Sequence, residues 1–211
     1  MKHINRREIE ELPRRERANL INSISGFKAA NLIGTISDSG LTNLAVFSSV
    51  VHVGSDPPLL GFITRPLVGE RHTYQNIKEN GVYSINHVHE SFVKNAHWTA
   101  AKFAQEESEF EKCGLTAEFI VGFNAPFVAQ SEIKIGLKLV DEIPIKLNKT
   151  IFMIGEIQHI LLPDKAISEN GNVDLTTVND ICISGQDTYH RVEKIVTLPY
   201  AKTSNIPEFD R

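Results

Sequence analysis

Polar side chains interrupt an otherwise apolar run early in the chain. Asn43, Ser48 and Ser49 stand within residues 41–53, a segment otherwise rich in aliphatic and β-branched residues. A strand does not need these groups for packing, whereas amide and hydroxyl groups on a strand can bind the polar edge of a small ligand. Asn43 could instead only stabilise the preceding turn. The residues alone leave these two interpretations evenly balanced.

A cation and a hydroxyl stand at the start of a predicted short helix. Arg71 and His72 precede residues 73–79, where Thr73 can cap the first turn and Asn80-Gly81 suits the left-handed residue that ends a helix. A helix N-terminus with a nearby cation is a good binding site for a phosphate group. On the residues alone, however, Thr73 is more simply a cap and Arg71 a surface charge.

Three histidines are candidate metal ligands. His87 and His89 alternate at the end of a predicted strand and would share a face, and His97 follows in a predicted helix. A zinc or iron site also needs firm third and fourth ligands, and only Glu90 or His97 is near enough to supply one. We therefore prefer polar histidines at a strand end and predict no metal. The chain also has neither a Gly-x-Ser-x-Gly elbow nor a dinucleotide-binding glycine fingerprint.

Composition and charge narrow the class of protein. The 211 residues are 41% hydrophobic and 23% charged, with a formal net charge of −4, which is ordinary for a globular domain. That balance, without a Lys/Arg block, argues against nucleic acid, and no apolar run approaches the roughly 18 residues of a membrane span. Cys113 and Cys182 predict free thiols in a reducing compartment. We therefore predict a cytoplasmic protein with a single domain over residues 1–211.

Six segments have the composition of strands, and two pairs of them read as antiparallel hairpins. The predicted strands are 29–36, 41–53, 59–64, 82–86, 133–140 and 151–160, and the predicted helices are 6–22, 73–79 and 90–106. The acidic residues 106–111 are expected to be exposed, and 197–211 form a polar tail that is either disordered or strapped onto another subunit. The hairpins favour a mainly β, six-stranded antiparallel barrel over a parallel α/β unit.

Several segments, taken in order, resemble the flavin reductase-like family. They are 40–48 (GLTNLAVFS), 55–59 (SDPPL), 71–77 (RHTYQNI), 81–86 (GVYSIN), 110–116 (FEKCGLT), 125–128 (APFV) and 189–192 (YHRV). The resemblance covers most of residues 20–195 and is greater to the longer, flavoredoxin-like members. Many members have proline where Val46 stands and Lys-Asp where Arg71-His72 stand. The resemblance therefore indicates the substrate specificity less well than it indicates the identity of the cofactor.

The resemblance implies an FMN-binding split β-barrel and a set of cofactor-binding residues. The flavin ring would lie against Asn43, Leu44, Ala45 and Val46, with Phe47 as an apolar contact. The phosphate arm would lie against Ser48, Ser49, Arg71, His72 and Thr73, with His72 contributing its backbone. No side chain is predicted to be catalytic, because a bound flavin itself carries hydride chemistry.

The resemblance also implies a function and an assembly. NADH or NADPH would reduce the flavin, which makes the protein an NAD(P)H-dependent flavin reductase or a similar FMN oxidoreductase, and the flavin would lie near the interface of a homodimer. An FMN-binding protein or electron carrier without catalytic activity is the alternative on the same barrel, and a barrel for another small ligand is the third possibility.

Overall fold

The computed structural model of the protein describes residues 1–67, 69 and 71–209. The strands are β1 (Lys28–Ala29), β2 (Asn31–Ile36), β3 (Thr42–Phe47), β4 (Val51–Ser55), β5 (Pro58–Thr64), β6 (Val82–His87), β7 (Ala117–Glu118), β8 (Phe127–Val128), β9 (Lys134–Ile145), β10 (Thr150–Leu161), β11 (Ile181–Ser184) and β12 (Thr188–Arg191). The α-helices are α1 (Arg6–Glu11), α2 (Arg14–Ile24), α3 (His72–Asn80), α4 (Val93–Trp98) and α5 (Glu109–Lys112).

The largest sheet of the described chain closes on itself. Its seven antiparallel strands run in the order β3-β2-β6-β9-β10-β5-β4, so β3 and β4 are the two edges. Six spacings of a flat sheet would separate these edges by about 29 Å. Only residues 48–50 join β3 to β4, and the four Cα steps from Phe47 to Val51 reach at most roughly 14 Å. The sheet must therefore curl into a barrel.

Ser49 attaches the segment between β3 and β4 to β5. The Ser49 hydroxyl donates to the backbone oxygen of Ile63 on β5 (3.2 Å) and accepts from the Ile63 N–H (3.0 Å).

The predicted mainly β, antiparallel barrel is confirmed, and the parallel alternative is wrong. The single strand predicted over 41–53 is also wrong: it is two strands, β3 and β4, which raises the predicted six strands of the barrel to seven.

Two of the three predicted helices have different bounds. The helix predicted over 6–22 is two helices, because proline disfavours helical geometry in the residue before it and Leu12 is extended at ψ 141°. Pro13 is the N-cap residue of α2, which begins at Arg14. The helix predicted over 90–106 is a 3-10 turn (Glu90–Phe92) followed by α4, and it ends at Trp98. Trp98 is exposed rather than part of the core.

The strand alternation separates two apolar clusters on the two faces of β2. Leu32 and Leu44 pack in an outer cluster with residues of α4, α5 and β11, whereas Ile33 packs inside the barrel with Phe62 and Tyr83. Leucine and isoleucine on successive positions of one strand point to opposite faces, which is why β2 is buried on both. The barrel interior is therefore a packed core.

The C-terminal segment contributes little to the barrel. Residues 192–209 have no strand, carry one 3-10 turn (Thr203–Asn205) and are exposed throughout; residues 210 and 211 of the predicted tail lie outside the described residues. Whether the tail is disordered or binds another subunit stays a prediction. Across the described ranges, none of the helices has the length and apolar character needed to cross a membrane.

Candidate functional site

A buried amide joins the two stretches that the sequence singled out. The Asn43 Nδ2 on β3 donates to Thr73 Oγ1 at 3.0 Å, near the N-terminus of α3, and to Thr35 Oγ1 on β2, also at 3.0 Å. Thr35 Oγ1 also accepts from Asn76 Nδ2 at 3.1 Å. Asn43 is only 6% exposed. One side chain therefore joins β3 to the N-terminus of α3, two places that are 30 positions apart in sequence. The N-terminal turn of α3 with Arg71, His72 and Thr73 is called the mouth of α3 below.

One edge of β3 is left without a strand partner in the described sheet. β3 pairs only with β2, with Leu44 opposite Gly34, and the Leu44 N–H donates instead to Glu109 Oε2 at 3.0 Å. Residues of an antiparallel pair alternate between hydrogen-bonded and non-hydrogen-bonded types. The backbone groups of Thr42, Leu44 and Val46 therefore point to the free edge, where the Leu44 carbonyl and both backbone groups of Val46 are directed away from β2.

Glu109 is a site residue that sequence reasoning missed. The acidic segment 106–111 was expected to be exposed, but Glu109 is 6% exposed and Phe110 is buried. The N-terminus of α5 lies along β3, since the Ser108 and Thr42 hydroxyls are 2.7 Å apart and Glu109 binds Leu44. Phe110 is the only signal in the sequence that this face of the acidic run is turned inward.

Opposing effects act on the Glu109 carboxyl. Burial raises its pKa above the ordinary value, while the Leu44 N–H and the nearby His72 lower it. Asn43 binds Thr73 and the adjacent Leu44 binds Glu109, so the carboxyl lies beside the part of β3 that meets the start of α3. The free edge of β3, the start of α3 and one buried carboxyl are thus neighbours.

The start of α3 differs from the prediction. Arg71, not Thr73, is the N-cap residue, and no side chain caps the helix; the predicted cap role of Thr73 is wrong because its hydroxyl accepts from Asn43 instead. The Arg71 Nε donates to the Pro66 carbonyl at 3.3 Å. Gly81 ends the helix with φ 71°, as predicted. The first turn of α3 therefore has the positive end of the helix dipole beside a guanidinium and a hydroxyl.

The other predicted site residues fall into two groups. Ala45, Val46 and Ser48 are half-buried and lie at or beside the free end of β3. The Leu44 side chain is fully buried in the outer cluster, which leaves only its backbone for a ligand. Phe47 packs inside the barrel, edge-on to Phe62 with ring centroids 5.2 Å apart, and the Ser49 hydroxyl is used in barrel closure.

The three candidate metal-binding histidines have three separate partners. His87 Nδ1 bonds to Asp180 Oδ2, His89 Nδ1 bonds to Ser91, and His97 Nδ1 lies 3.1 Å from the Tyr189 hydroxyl. Among residues 1–67, 69 and 71–209, no three His, Cys, Asp or Glu side chains are grouped to hold a metal ion. The histidines thus do not form a common site there.

The arrangement can bind one elongated ligand that has a planar, amide-like ring at one end and an anion at the other. Outward backbone groups of β3 can pair with a planar, amide-like ring edge, and the mouth of α3 can bind an anion. The Asn43–Thr73 hydrogen bond holds both at a fixed separation.

Residues 25–178 match the family model described as flavin reductase like domain, and the chain belongs to this family. A solved structure from Shewanella frigidimarina NCIMB 400, described as a candidate flavin reductase with a split barrel domain, is 46% identical with a TM-score of 0.92 and covers 95% of this chain and 100% of its own. The split-barrel fold and the predicted family are therefore confirmed.

Two more distant structures share the fold. The 2-nitrobenzoate 2-nitroreductase of Pseudomonas fluorescens is 22% identical with a TM-score of 0.82 and covers 98% of this chain and 99% of its own. The flavoredoxin of Desulfovibrio vulgaris (Miyazaki F) is 22% identical with a TM-score of 0.72, with 83% and 92% covered. At this identity the likeness concerns the fold alone. The family membership and the 46% identical structure support a flavin-related oxidoreductase function.

Proposed function

We propose that the protein binds FMN and acts as an NAD(P)H-dependent flavin reductase or a closely similar FMN oxidoreductase. The observation that carries this proposal is the hydrogen bond from Asn43 to Thr73. It joins the strand edge proposed for the flavin ring to the helix mouth proposed for the phosphate. Family membership supports a flavin as the ligand, and a phosphate site beside the ring site favours FMN over riboflavin.

The phosphate would be held at the start of α3. Arg71 supplies positive charge, His72 its backbone N–H, and Thr73 a hydroxyl. Because Thr73 Oγ1 accepts the hydrogen of Asn43, its own hydroxyl hydrogen can be donated to a phosphate oxygen. The α3 helix of nine residues adds its dipole, and Ser48 at the end of β3 adds a second hydroxyl. These groups fit a dianionic phosphate by charge and by donor number.

The flavin ring would be held at the free edge of β3. Its pyrimidine edge alternates hydrogen-bond acceptors with one donor, and the backbone of residues 44–46 offers a carbonyl followed by an N–H. Ala45 is half-buried and can contact the ring, whereas Val46 would contribute its backbone because its side chain packs against the outer cluster. Asn43 would act by fixing the position of the strand, because both hydrogens of its amide bind threonine hydroxyls. The residues present therefore fit the ring edge.

The bound flavin supplies the hydride-accepting chemistry. The protein's own contribution is to hold the ring by its polar edge, to anchor the phosphate away from the reacting face and to leave that face open to a nicotinamide. Orientation of two reactants in this way accounts for much of such a rate enhancement. No side chain is required as an acid or base in this proposal.

A homodimer is part of the proposal. Large apolar side chains are exposed along the 192–209 segment, including Ile195, Leu198 and Tyr200, and such surface is more often covered than left in water. A twofold dimer is also the commonest closed assembly. Light scattering coupled to size exclusion should give twice the chain mass of 23.6 kDa.

One preparation tests the function. The purified protein should be yellow with an absorbance band near about 450 nm, or should become so when FMN is added, and should oxidise NADH or NADPH steadily in the presence of FMN. FMN binding without nicotinamide oxidation would instead favour an electron carrier or a non-catalytic FMN-binding protein. Protein that neither binds FMN nor changes its melting temperature with FMN would exclude both flavin functions.

A further inference from the structure

We propose that Glu109 is a positioning residue of the flavin site, which fixes the hydrogen-bonding pattern of the β3 edge and places a negative charge beside the ring. This inference rests on the proposed function and goes beyond it. None of the motifs in the sequence points to this residue. Its role follows from one contact, its burial and its neighbours.

The contact determines what the strand edge offers to a ligand. Without Glu109, the outward Leu44 would present both its N–H and its carbonyl. The Glu109 Oε2 accepts that N–H at 3.0 Å, so that only the carbonyl of Leu44 remains for a ligand, followed by the N–H of Val46. This acceptor-then-donor order selects a ring edge that presents a donor and then an acceptor, as a flavin pyrimidine does.

The docking of α5 keeps the carboxyl in place. The hydroxyls of Ser108 and Thr42 are 2.7 Å apart, and Ser108 is buried together with Glu109 and Phe110. The N-cap residue Ser108 and the first residue of α5, Glu109, therefore bind Thr42 and Leu44 of the same strand. The proposed ligand position at Val46 lies beyond these two contacts along the edge.

Burial makes the carboxyl electrostatically effective. A ligand bonded to Val46 lies about two residues, roughly 7 Å, from the Leu44 N–H that Glu109 accepts, which is within a Debye length and in a poorly solvated region. Among the residues that the structure describes, the titratable groups that act on Glu109 are His72 from α3 and Cys113 at the end of α5. A carboxylate in this position disfavours the anionic reduced flavin and lowers its reduction potential.

Two substitutions separate position from charge. Glu109→Gln keeps an oxygen that can accept the Leu44 N–H but removes the charge, whereas Glu109→Leu removes both. Glu111→Gln is the matched control. Glu111 lies on the same helix and is exposed, and its substitution changes the net charge by the same amount as Glu109→Gln. The measurements are FMN affinity by fluorescence titration, the visible circular dichroism of bound FMN, and its midpoint potential at several pH values around neutrality.

We expect Glu109→Gln to bind FMN with nearly unchanged affinity and dichroism but with a more positive midpoint potential than the wild type. Glu109→Leu should weaken FMN binding about tenfold or more and change the dichroism, and Glu111→Gln should change neither property. A potential of Glu109→Gln equal to that of the wild type at every pH would overturn the electrostatic part of the proposal. Wild-type affinity and dichroism in Glu109→Leu would overturn the positional part.

The design keeps this inference separate from the proposed function. Wild-type protein that takes up no FMN contradicts the proposed function and the inference with it. Wild-type protein that binds FMN while the Glu109 variants behave like Glu111→Gln contradicts only the inference. If Glu109→Leu does not fold, Glu109→Ala replaces it as the test of the positional part, and the potential of Glu109→Gln still decides the electrostatic part, because that variant retains the hydrogen bond.

Discussion

The link between β3 and α3 through Asn43 predicts that stability and FMN affinity are separable. Asn43→Ala removes two hydrogen bonds of 3.0 Å, to Thr35 and to Thr73. Each contributes about 1 kcal/mol net, and the truncation adds a small cavity, so the free energy of unfolding should fall by about 2–3 kcal/mol. For a chain of this length, that corresponds to a melting temperature lower by roughly 5–10 °C.

The effect on the ligand should be larger than stability alone explains. Without the Asn43–Thr73 bond, the mouth of α3 is no longer held against the strand edge, and part of the FMN binding energy must reorder it. A loss of about 1–2 kcal/mol weakens FMN binding roughly 5- to 30-fold. The affinity is measured by isothermal titration or by the quenching of FMN fluorescence on binding. Both measurements are made well below the melting temperature of the variant.

Thr35→Val is the matched control. It removes the oxygen that accepts from both Asn43 and Asn76, so its loss of stability should be similar at about 2–3 kcal/mol. It leaves the bond between Asn43 and Thr73 intact, and FMN affinity should change by about threefold or less. The reasoning is refuted if both variants lose FMN affinity in the same proportion, or if Asn43→Ala binds FMN as tightly as the wild type.

Three further predictions concern the barrel and its pH dependence. A Cβ at Gly155 would lie 2.2 Å from the Tyr83 hydroxyl, so Gly155→Ala should lower the free energy of unfolding by about 1–3 kcal/mol or more. Urea unfolding of the double variant with Tyr83→Phe should recover part of this loss. If the effects of the two substitutions simply add, the cause is not the clash with the hydroxyl. Ser49→Ala removes both bonds to Ile63 and should cost about 1–2 kcal/mol, whereas Ser48→Ala should cost less in the same thermal melts. Because the pKa of Glu109 is raised above 4.5 in the folded state, the folded protein binds this proton more tightly than the unfolded chain does. Wild-type stability should therefore fall relative to Glu109→Gln as pH rises above about 4.5, and parallel curves for the two proteins would show that burial does not shift this carboxyl.

The sequence by itself determined most of the barrel strands and indicated the two halves of the candidate site, which stay a prediction. Period-2 alternation and hairpin turns are local signals, and they identified the strands of the barrel apart from the break between β3 and β4, because one face of a half-buried strand must be apolar. The polar residues within β3 and the Arg71–Thr73 helix entry were found in the same way. The family resemblance added the cofactor, which none of these patterns specifies.

Tertiary structure decided where the chain is closed and what each polar group does. Local patterns could not divide residues 41–53, because the break follows from joining two sheet edges through residues 48–50 and not from a breaking residue. They also assigned Thr73 to a cap and Glu109 to the surface. Instead, the Thr73 hydroxyl accepts a hydrogen bond from Asn43, and the Glu109 carboxyl accepts one from the Leu44 N–H. A hydrogen bond between residues 30 or 65 positions apart leaves no periodic trace in the sequence, since it depends only on which surfaces the folded barrel brings together.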